Sequence, residues 1–167
     1  MTSGLRVRPA RTSDMRAIRA LVSPLAERRI LLQKEAVAYY EATGDFVVAE
    51  LDDRIVGCGA VHVLWEDLAE IRTLAVTDEA LGRGVGTAIL DALVERGRGL
   101  GVRRLFCLTF ETAFFERHGF EAIEGQAVSP EVYTELLRSY DEGVAEFLDL
   151  ERVKPNTLGN TRMLKVL

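Results

Sequence analysis

Residues 73–90, TLAVTDEALGRGVGTAIL, decide how the chain is read: a β-branched and apolar run, an acidic turn, glycines at 82, 84 and 86, then a helical pattern. Alternating glycines at a helix entry let several backbone N–H groups converge on one anion, and the helix dipole adds to the attraction. Phosphate is the usual guest. Thr87 stands where the dinucleotide fingerprint needs its third glycine, and Thr87-Ala88 supplies neither residue of the Lys-Ser/Thr pair that a P-loop requires. A flexible turn before a surface helix stays open on the glycines alone. The order around them is rarer: a strand ending at Val76, the turn, the glycines with Arg83 among them, a helix, a strand and then FFERHGF.

Composition limits what this unit can belong to. With 167 residues, 48% hydrophobic and 28% charged, the chain suits one globular domain, 1–167, with its own core. No run approaches the roughly 20 apolar residues of a membrane span, and the start MTSGLRVRPARTSD lacks the apolar stretch of a secretory signal. Cys58 and Cys107 sit inside apolar strand-like runs, where cysteine acts as a small reduced core residue, so a cytoplasmic address is expected. A formal net charge of −5 argues against nucleic-acid binding. Any anionic ligand must be met by local cations.

The chain shows no repeat, low-complexity tract or linker. LRVRPA reads as a short strand, and TSD as the cap of a helix carrying Ile18, Leu21, Val22 and Leu25, which Pro24 should end or kink. RRILLQK is a connection and EAVAYYEA a second short helix. DFVVAEL and IVGCGAVHVL flank DDR as an antiparallel hairpin, and LAEIRTLAV continues the meander. Val85, Ile89, Leu90, Leu93 and Val94 form a helical stripe that fades toward Gly97, Gly99 and Gly101. VRRLFCLTF reads as a buried strand, ETAFFERHGF as a short helix with a glycine stop, and SPEVYTELLRSY as a helix capped by Ser129 with Pro130 first. The tail RMLKVL alternates and is placed at a sheet edge. The class is mixed α and β.

This composite resembles the GNAT acetyltransferase superfamily, whose motif reads Gln/Arg-x-x-Gly-x-Gly/Ala. Here Leu81 replaces the opening residue, while Gly84 and Gly86 fill the later places with Arg83 between them. The resemblance implies a central, mixed, mostly antiparallel sheet flanked by helices. It also implies that Gly82, Arg83, Gly84, Val85, Gly86 and Thr87 grip the pyrophosphate of acetyl-CoA. LAERRILLQK, AEIRTLAV, LFCLTFETAFFERHGF and NTLGNTRMLKVL are together similar to the acetyltransferase domain of bacterial N-acetylglutamate synthase. Members often carry an amino-acid-kinase-like domain in front; only four residues precede Leu5, so the short single-domain form is expected.

Acetyl transfer to an amine needs an extended thioester, fixed donors to its carbonyl oxygen, a neutral amine and a route for the proton. In such folds a bulge in the strand written here RTLAV turns amides toward the thioester, which places Leu74, Ala75 and Val76 along the pantetheine arm; a plain buried strand is compatible with that role. Glu70 opens the strand and can take the amine proton directly or through water, with partial burial raising its pKa; a surface carboxylate is the alternative. Resemblance assigns Glu70 and the hydroxyl of Thr109 to one water chain.

An α-carboxylate on the acceptor calls for arginine. Candidates are Arg28, Arg29, Lys34, Arg72 and Arg162, although each alone reads as a solvated charge. Resemblance adds Leu31, Gln33, Thr73, Asn160 and Thr161 to the acceptor side. Gln33 stands where the family has arginine, which opens the choice between L-glutamate and L-glutamine. Phe115 stands four residues before Gly119, where many superfamily members place a thiolate-protonating tyrosine; the glutamate-acetylating family also tends to have phenylalanine there.

His62 and His118 make no metal-ligand spacing, and neither cysteine has a base beside it, so direct attack is expected over an acyl-enzyme. The implied enzyme is an acetyl-CoA-dependent amino-acid N-acetyltransferase at the first step of arginine biosynthesis, with a small-molecule partner, no nucleic acid or membrane, and apolar edges that allow a homodimer. Two alternatives stay open: a transferase of this fold for a protein N-terminus, polyamine or drug, and a non-catalytic acyl-CoA sensor, stabilised by CoA without turnover.

Overall fold

The computed structural model describes residues 4–28 and 35–167. Its strands form one seven-stranded sheet in the order β1 (Arg6–Pro9), β2 (Phe46–Leu51), β3 (Arg54–Trp65), β4 (Leu68–Val76), β5 (Arg104–Thr109), β7 (Thr161–Val166), β6 (Glu121–Ala122). The residues cluster into two compact units, Met1–His62 with Ile71–Leu100, and Val63–Glu70 with Gly101–Leu167. Neither is a continuous segment, and strand β4 (Leu68–Val76) contributes to both.

In the first unit, β1 (Arg6–Pro9) pairs antiparallel with β2 (Phe46–Leu51), which pairs antiparallel with β3 (Arg54–Trp65). The hairpin turns on Asp52 and Asp53, both at positive φ (54° and 60°), the twist that two-residue turns between right-handed strands favour. Helices α1 (Met15–Glu27) and α2 (Ala36–Glu41) cover one face: Met15, Ile18, Val22 and Tyr39 pack with Phe46, Val48, Cys58, Ala60 and Ala75. Successive strand residues face opposite ways. Thus Gly57 and Gly59, the alternate residues of β3, meet α3 (Val85–Leu100) on the other face. A Cβ on Gly57 would come within 2.7 Å of Ile89, and one on Gly59 within 2.8 Å of Ile89 and 2.9 Å of Leu93. The missing side chains let α3 lie directly on the strand.

In the second unit, Leu68–Glu70 of β4 run parallel to β5 (Arg104–Thr109), with Glu70 opposite Phe106. A parallel neighbour requires a crossover connection, which α3 provides in sequence. Antiparallel β7 (Thr161–Val166) pairs with β5 on one side and with the two-residue β6 (Glu121–Ala122) on the other. Around them lie α4 (Thr112–Arg117), α5 (Pro130–Leu136), α6 (Glu142–Phe147) and α7 (Lys154–Thr157). Leu64, Leu68, Phe106, Leu136, Val144, Phe147 and Leu148 form this unit's core.

Three expectations change. Helix α1 continues through Pro24 to Glu27, because a proline near the last turn forfeits only one ladder bond, and Arg28 N–H still reaches the Pro24 carbonyl at 3.2 Å. Asp14 does not cap α1 with its side chain; the carboxylate turns back to the Arg11 N–H (2.7 Å) and the Arg8 guanidinium (2.8 and 3.0 Å), and Thr12–Asp14 form a 3₁₀ turn. The tail strand is internal, since β6 covers its outer side. Ser129 and Pro130 start α5 as expected, with the Ser129 hydroxyl oxygen accepting from Val132 N–H at 3.4 Å.

Candidate active site

The donor side lies in the first unit. Strand β4 is distorted at Thr73, whose φ of 55° is a left-handed value that β-branched residues rarely hold. Its carbonyl oxygen accepts from the Cys58 thiol at 3.4 Å, while Thr77 N–H donates to the Val56 carbonyl at 2.8 Å. Between these points run Leu74, Ala75 and Val76; Ala75 is buried, and the other two are half-buried. A 3₁₀ turn, Asp78–Ala80, then leads through exposed Leu81 to Gly82 and Gly84, at φ 75° and 77°. A Cβ at either glycine would meet nothing within 4 Å. The loop backbone therefore borders open space, and its conformation requires glycine because the φ is positive.

Val85 is buried at the start of α3, whereas Arg83 and Thr87 are exposed and Gly86 lies in the first turn. Ala88 N–H closes the first intrahelical bond onto Gly84 at 3.1 Å. The preceding amides have no partner within the helix, and a 16-residue helix directs its positive end at the loop. This donor set fits an anion such as a pyrophosphate. Arg72 and Thr73 are both buried on the same strand.

The second unit holds Glu70, Thr109, Asn160 and Arg162. Glu70 and Thr109 are both buried. The register puts Thr109 three residues beyond Phe106, the partner of Glu70, which is about 10 Å along the sheet. An odd offset along a strand also turns Thr109 to the opposite face from Phe106, so the register does not bring the Glu70 and Thr109 side chains together. The Thr109 hydroxyl oxygen accepts from Glu111 N–H at 2.8 Å and so shapes the entry to α4, leaving its own proton to donate elsewhere. Thr109 pairs with Thr161, so Asn160 and Arg162 flank that end of β5.

Arg162 is held closely. Its guanidinium lies 4.8 Å from the Phe106 ring centroid and 5.8 Å from that of Phe147, and Nη1 donates to the Glu146 carbonyl at 3.4 Å. Its Nε and Nη2, like Oδ1 of Asn160, are buried without a hydrogen-bond partner among the described residues. Burial lowers the Arg162 pKa from the usual arginine value, and the charges of Asp149 and Glu70 draw it back up. Nε and Nη2 form one edge of the guanidinium fork, the arrangement that meets both oxygens of a carboxylate.

Leu31, Gln33 and Lys34 lie outside the described residues. Phe115 is a core side chain, edge-to-face with Phe114 and Phe120 at 5.2 and 5.1 Å. His118 hydrogen-bonds through Nδ1 to the Phe114 carbonyl at 2.8 Å, and His62 pairs with Asp45 at 2.7 Å. The sequence reading did not single out Cys58, Phe106 or Phe147 as supports of the site. Asp141, which caps α6 by accepting from Val144 N–H at 3.0 Å, was the legible signal for that helix; which way its Phe147 would face was not.

A mixed sheet with a distorted strand leading to a glycine-opened helix defines a transferase that takes its acyl group from a CoA thioester. The chain belongs to the GNAT acetyltransferase family, which residues 15–120 match. It is 58% identical over 164 residues to the amino-acid acetyltransferase of Mycobacterium tuberculosis, covering 96% of this chain and 94% of that protein. A crystal structure from Mycobacterium tuberculosis, in complex with CoA and NLQ, matches with a TM-score of 0.94 at 57% identity, covering 97% of this chain and 99% of that one. N-acetylglutamate synthase from Neisseria gonorrhoeae, complexed with coenzyme A and N-acetyl-glutamate, shares the fold at a TM-score of 0.78 and 24% identity, over 100% of this chain and 36% of that one. Acetyl-CoA is the acetyl donor. No helix among the described residues is long and apolar enough to cross a membrane.

Proposed function

We propose that the chain acetylates the α-amine of L-glutamate or L-glutamine, by direct attack of the amine on the acetyl-CoA thioester, as the first step of arginine biosynthesis. The N–C bond forms as the C–S bond breaks; CoA leaves as a thiolate that solvent protonates, and the ammonium proton passes through water to Glu70. Loop residues 82–87 hold the pyrophosphate at the start of α3. The amides of Leu74, Ala75 and Val76 line the pantetheine arm, with the distortion at Thr73 turning them toward the thioester. Arg162 meets the acceptor's α-carboxylate beside Asn160, and Leu31, Gln33, Lys34, Arg72 and Thr73 complete the acceptor side.

The observation that carries this reading is the buried Nε–Nη2 edge of Arg162, which has no acceptor among the described residues. Buried donors without partners are costly, so a ligand carboxylate is the natural complement. The name of the Mycobacterium tuberculosis relative, an amino-acid acetyltransferase, supports the same acceptor class. Two buried cysteines with free thiols agree with a cytoplasmic address, and the homodimer belongs to the same proposal, to be read by light scattering.

The test is thiol release from acetyl-CoA. L-glutamate or L-glutamine should be acetylated, while D-isomers, lysine, spermidine and short peptides should be nearly silent, because one clamp and one attack direction cannot both suit a mirror image. Turnover on a polyamine or peptide alone would overturn the amino-acid acceptor. CoA binding with no turnover on any amine would leave a sensor.

A further inference from the structure

The segment from α6 to Leu150 has no part in the reaction described so far, yet it is built around Arg162. The Phe147 ring stands edge-on to Phe106, with centroids 4.8 Å apart at 88°, and the guanidinium lies near both. At the C-terminal end of α6 the Glu146 carbonyl accepts from Asp149 N–H (3.0 Å) and from Arg162 Nη1 (3.4 Å). The chain leaves the helix through Asp149 at φ 59°, an uncommon conformation for a residue with a side chain, and Gln126 braces the exit by donating to the Leu148 carbonyl at 2.8 Å. Both rings are fully buried, so their positions are set by packing.

We propose that α6 and its exit are a positioning device for the acceptor: the Phe106 and Phe147 rings and the Glu146 carbonyl hold Arg162 so that its Nε–Nη2 edge faces the acceptor carboxylate. This rests on the proposed role of Arg162 as the carboxylate clamp. The rings attract the cation through their faces without competing for its N–H groups, and the carbonyl engages Nη1 alone. That division leaves one complete bidentate edge. An arginine fixed in this way has little rotamer freedom left to lose on binding, so less of the interaction with the acceptor is offset by ordering. Phe106 and Phe147 are thus positioning residues, acting only through Arg162.

The experiment is a double-mutant cycle on the full chain, assayed with L-glutamine and with L-glutamate. Phe147→Leu removes the ring while keeping an apolar side chain, and Phe147→Met is a second, volume-conserving variant should the first fail to fold. The acceptor KM should rise about 5- to 20-fold in either, with kcat changed less than about 3-fold and CoA affinity unchanged. In an Arg162→Gln background the same substitutions should have no further effect on the acceptor KM. If Arg162→Gln alone leaves the acceptor KM unchanged, the clamp itself is wrong. If Arg162→Gln raises it but a folded Phe147 variant does not, or if the two effects simply multiply, the positioning role is overturned while the clamp stands.

Discussion

The Cys58 thiol donates to the carbonyl oxygen of Thr73 at 3.4 Å, tying the middle of β3 to the one residue of β4 that holds a positive φ. Thr73 is β-branched, and its φ of 55° persists only because neighbouring structure holds it there. Cys58 is fully buried on the face that packs against α1 and α2, so its hydrogen bond ties the distortion to the core of the first unit.

Replacing that donor tests whether the distortion serves acetyl-CoA. Cys58→Val fills the space but leaves the Thr73 carbonyl without its thiol partner, at a cost of about 1 kcal/mol. The KM for acetyl-CoA should rise roughly 3- to 10-fold and the melting temperature should fall. Cys58→Ser, which keeps a donor, should lie closer to the parent in KM. Equal KM values for the valine and serine variants would dissociate the bond from the donor site.

The glycine loop can be tested without disturbing the core, since Gly82 and Gly84 border open space. Gly84→Val forces a β-branched residue to a φ near 77° and should cost about 1–2 kcal/mol of stability. CoA affinity should fall at least about 10-fold. Arg83→Glu, exposed and unstrained, should weaken CoA through charge alone, leaving stability within about 0.5 kcal/mol. Isothermal titration with CoA checks both; unchanged affinity in the folded variants would refute the loop assignment.

Glu70→Gln separates proton removal from binding. Turnover should fall most near neutral pH and partly recover at higher pH, where the acceptor amine is already neutral, while CoA affinity barely changes. An unaltered pH–rate profile would shift proton removal to solvent. Thr109→Val, which also removes the oxygen that accepts from Glu111 N–H, should lower stability as well as rate.

Alkali should destabilise the protein through its two thiols. Burial pushes Cys58 up to about 12, and burial with the nearby charge of Glu70 raises Cys107 above the ordinary thiol range. Unfolded thiols ionise near pH 8.5, so above that pH the unfolded state binds fewer protons than the native one. Stability is therefore fully present below about pH 8.5 and falls as pH rises toward 12, by up to about 1.4 kcal/mol per unit for each cysteine. A Cys58→Ala, Cys107→Ala double variant should show a flatter alkaline limb in urea titrations. At pH 8 iodoacetamide should label neither cysteine in the folded parent and both after denaturation.

Gln33→Arg addresses acceptor choice. Under the proposed function, arginine at this position should shift the ratio of kcat/KM toward L-glutamate by about 1–3 kcal/mol, the worth of one charge-assisted pair. An unchanged ratio would mean that position 33 does not read the acceptor's side chain.

Local chemistry made most elements legible in the sequence alone. The apolar, β-branched runs DFVVAEL, IVGCGAVHVL and LAEIRTLAV, set off by the turn DDR, yield β2, β3 and β4 almost to the residue, and the stripe from Val85 to Leu93 yields α3, because strand-forming runs and a helix's stripe are written in neighbouring residues. The glycine loop was readable for the same reason, since positive φ is a demand on single residues. What only the tertiary structure decided is whatever depends on residues distant in sequence. Gly57 and Gly59 matter because Ile89 and Leu93 lie against them, which sets how closely α3 approaches β3. Thr73 is left-handed beside Cys58 of another strand, and the tail strand is internal because the two residues of β6 pair with it. Arg162 was legible as a cation. Its buried edge, without a partner among the described residues, was not, because that burial depends on how residues distant in sequence, Phe106 and Phe147 among them, pack around one guanidinium.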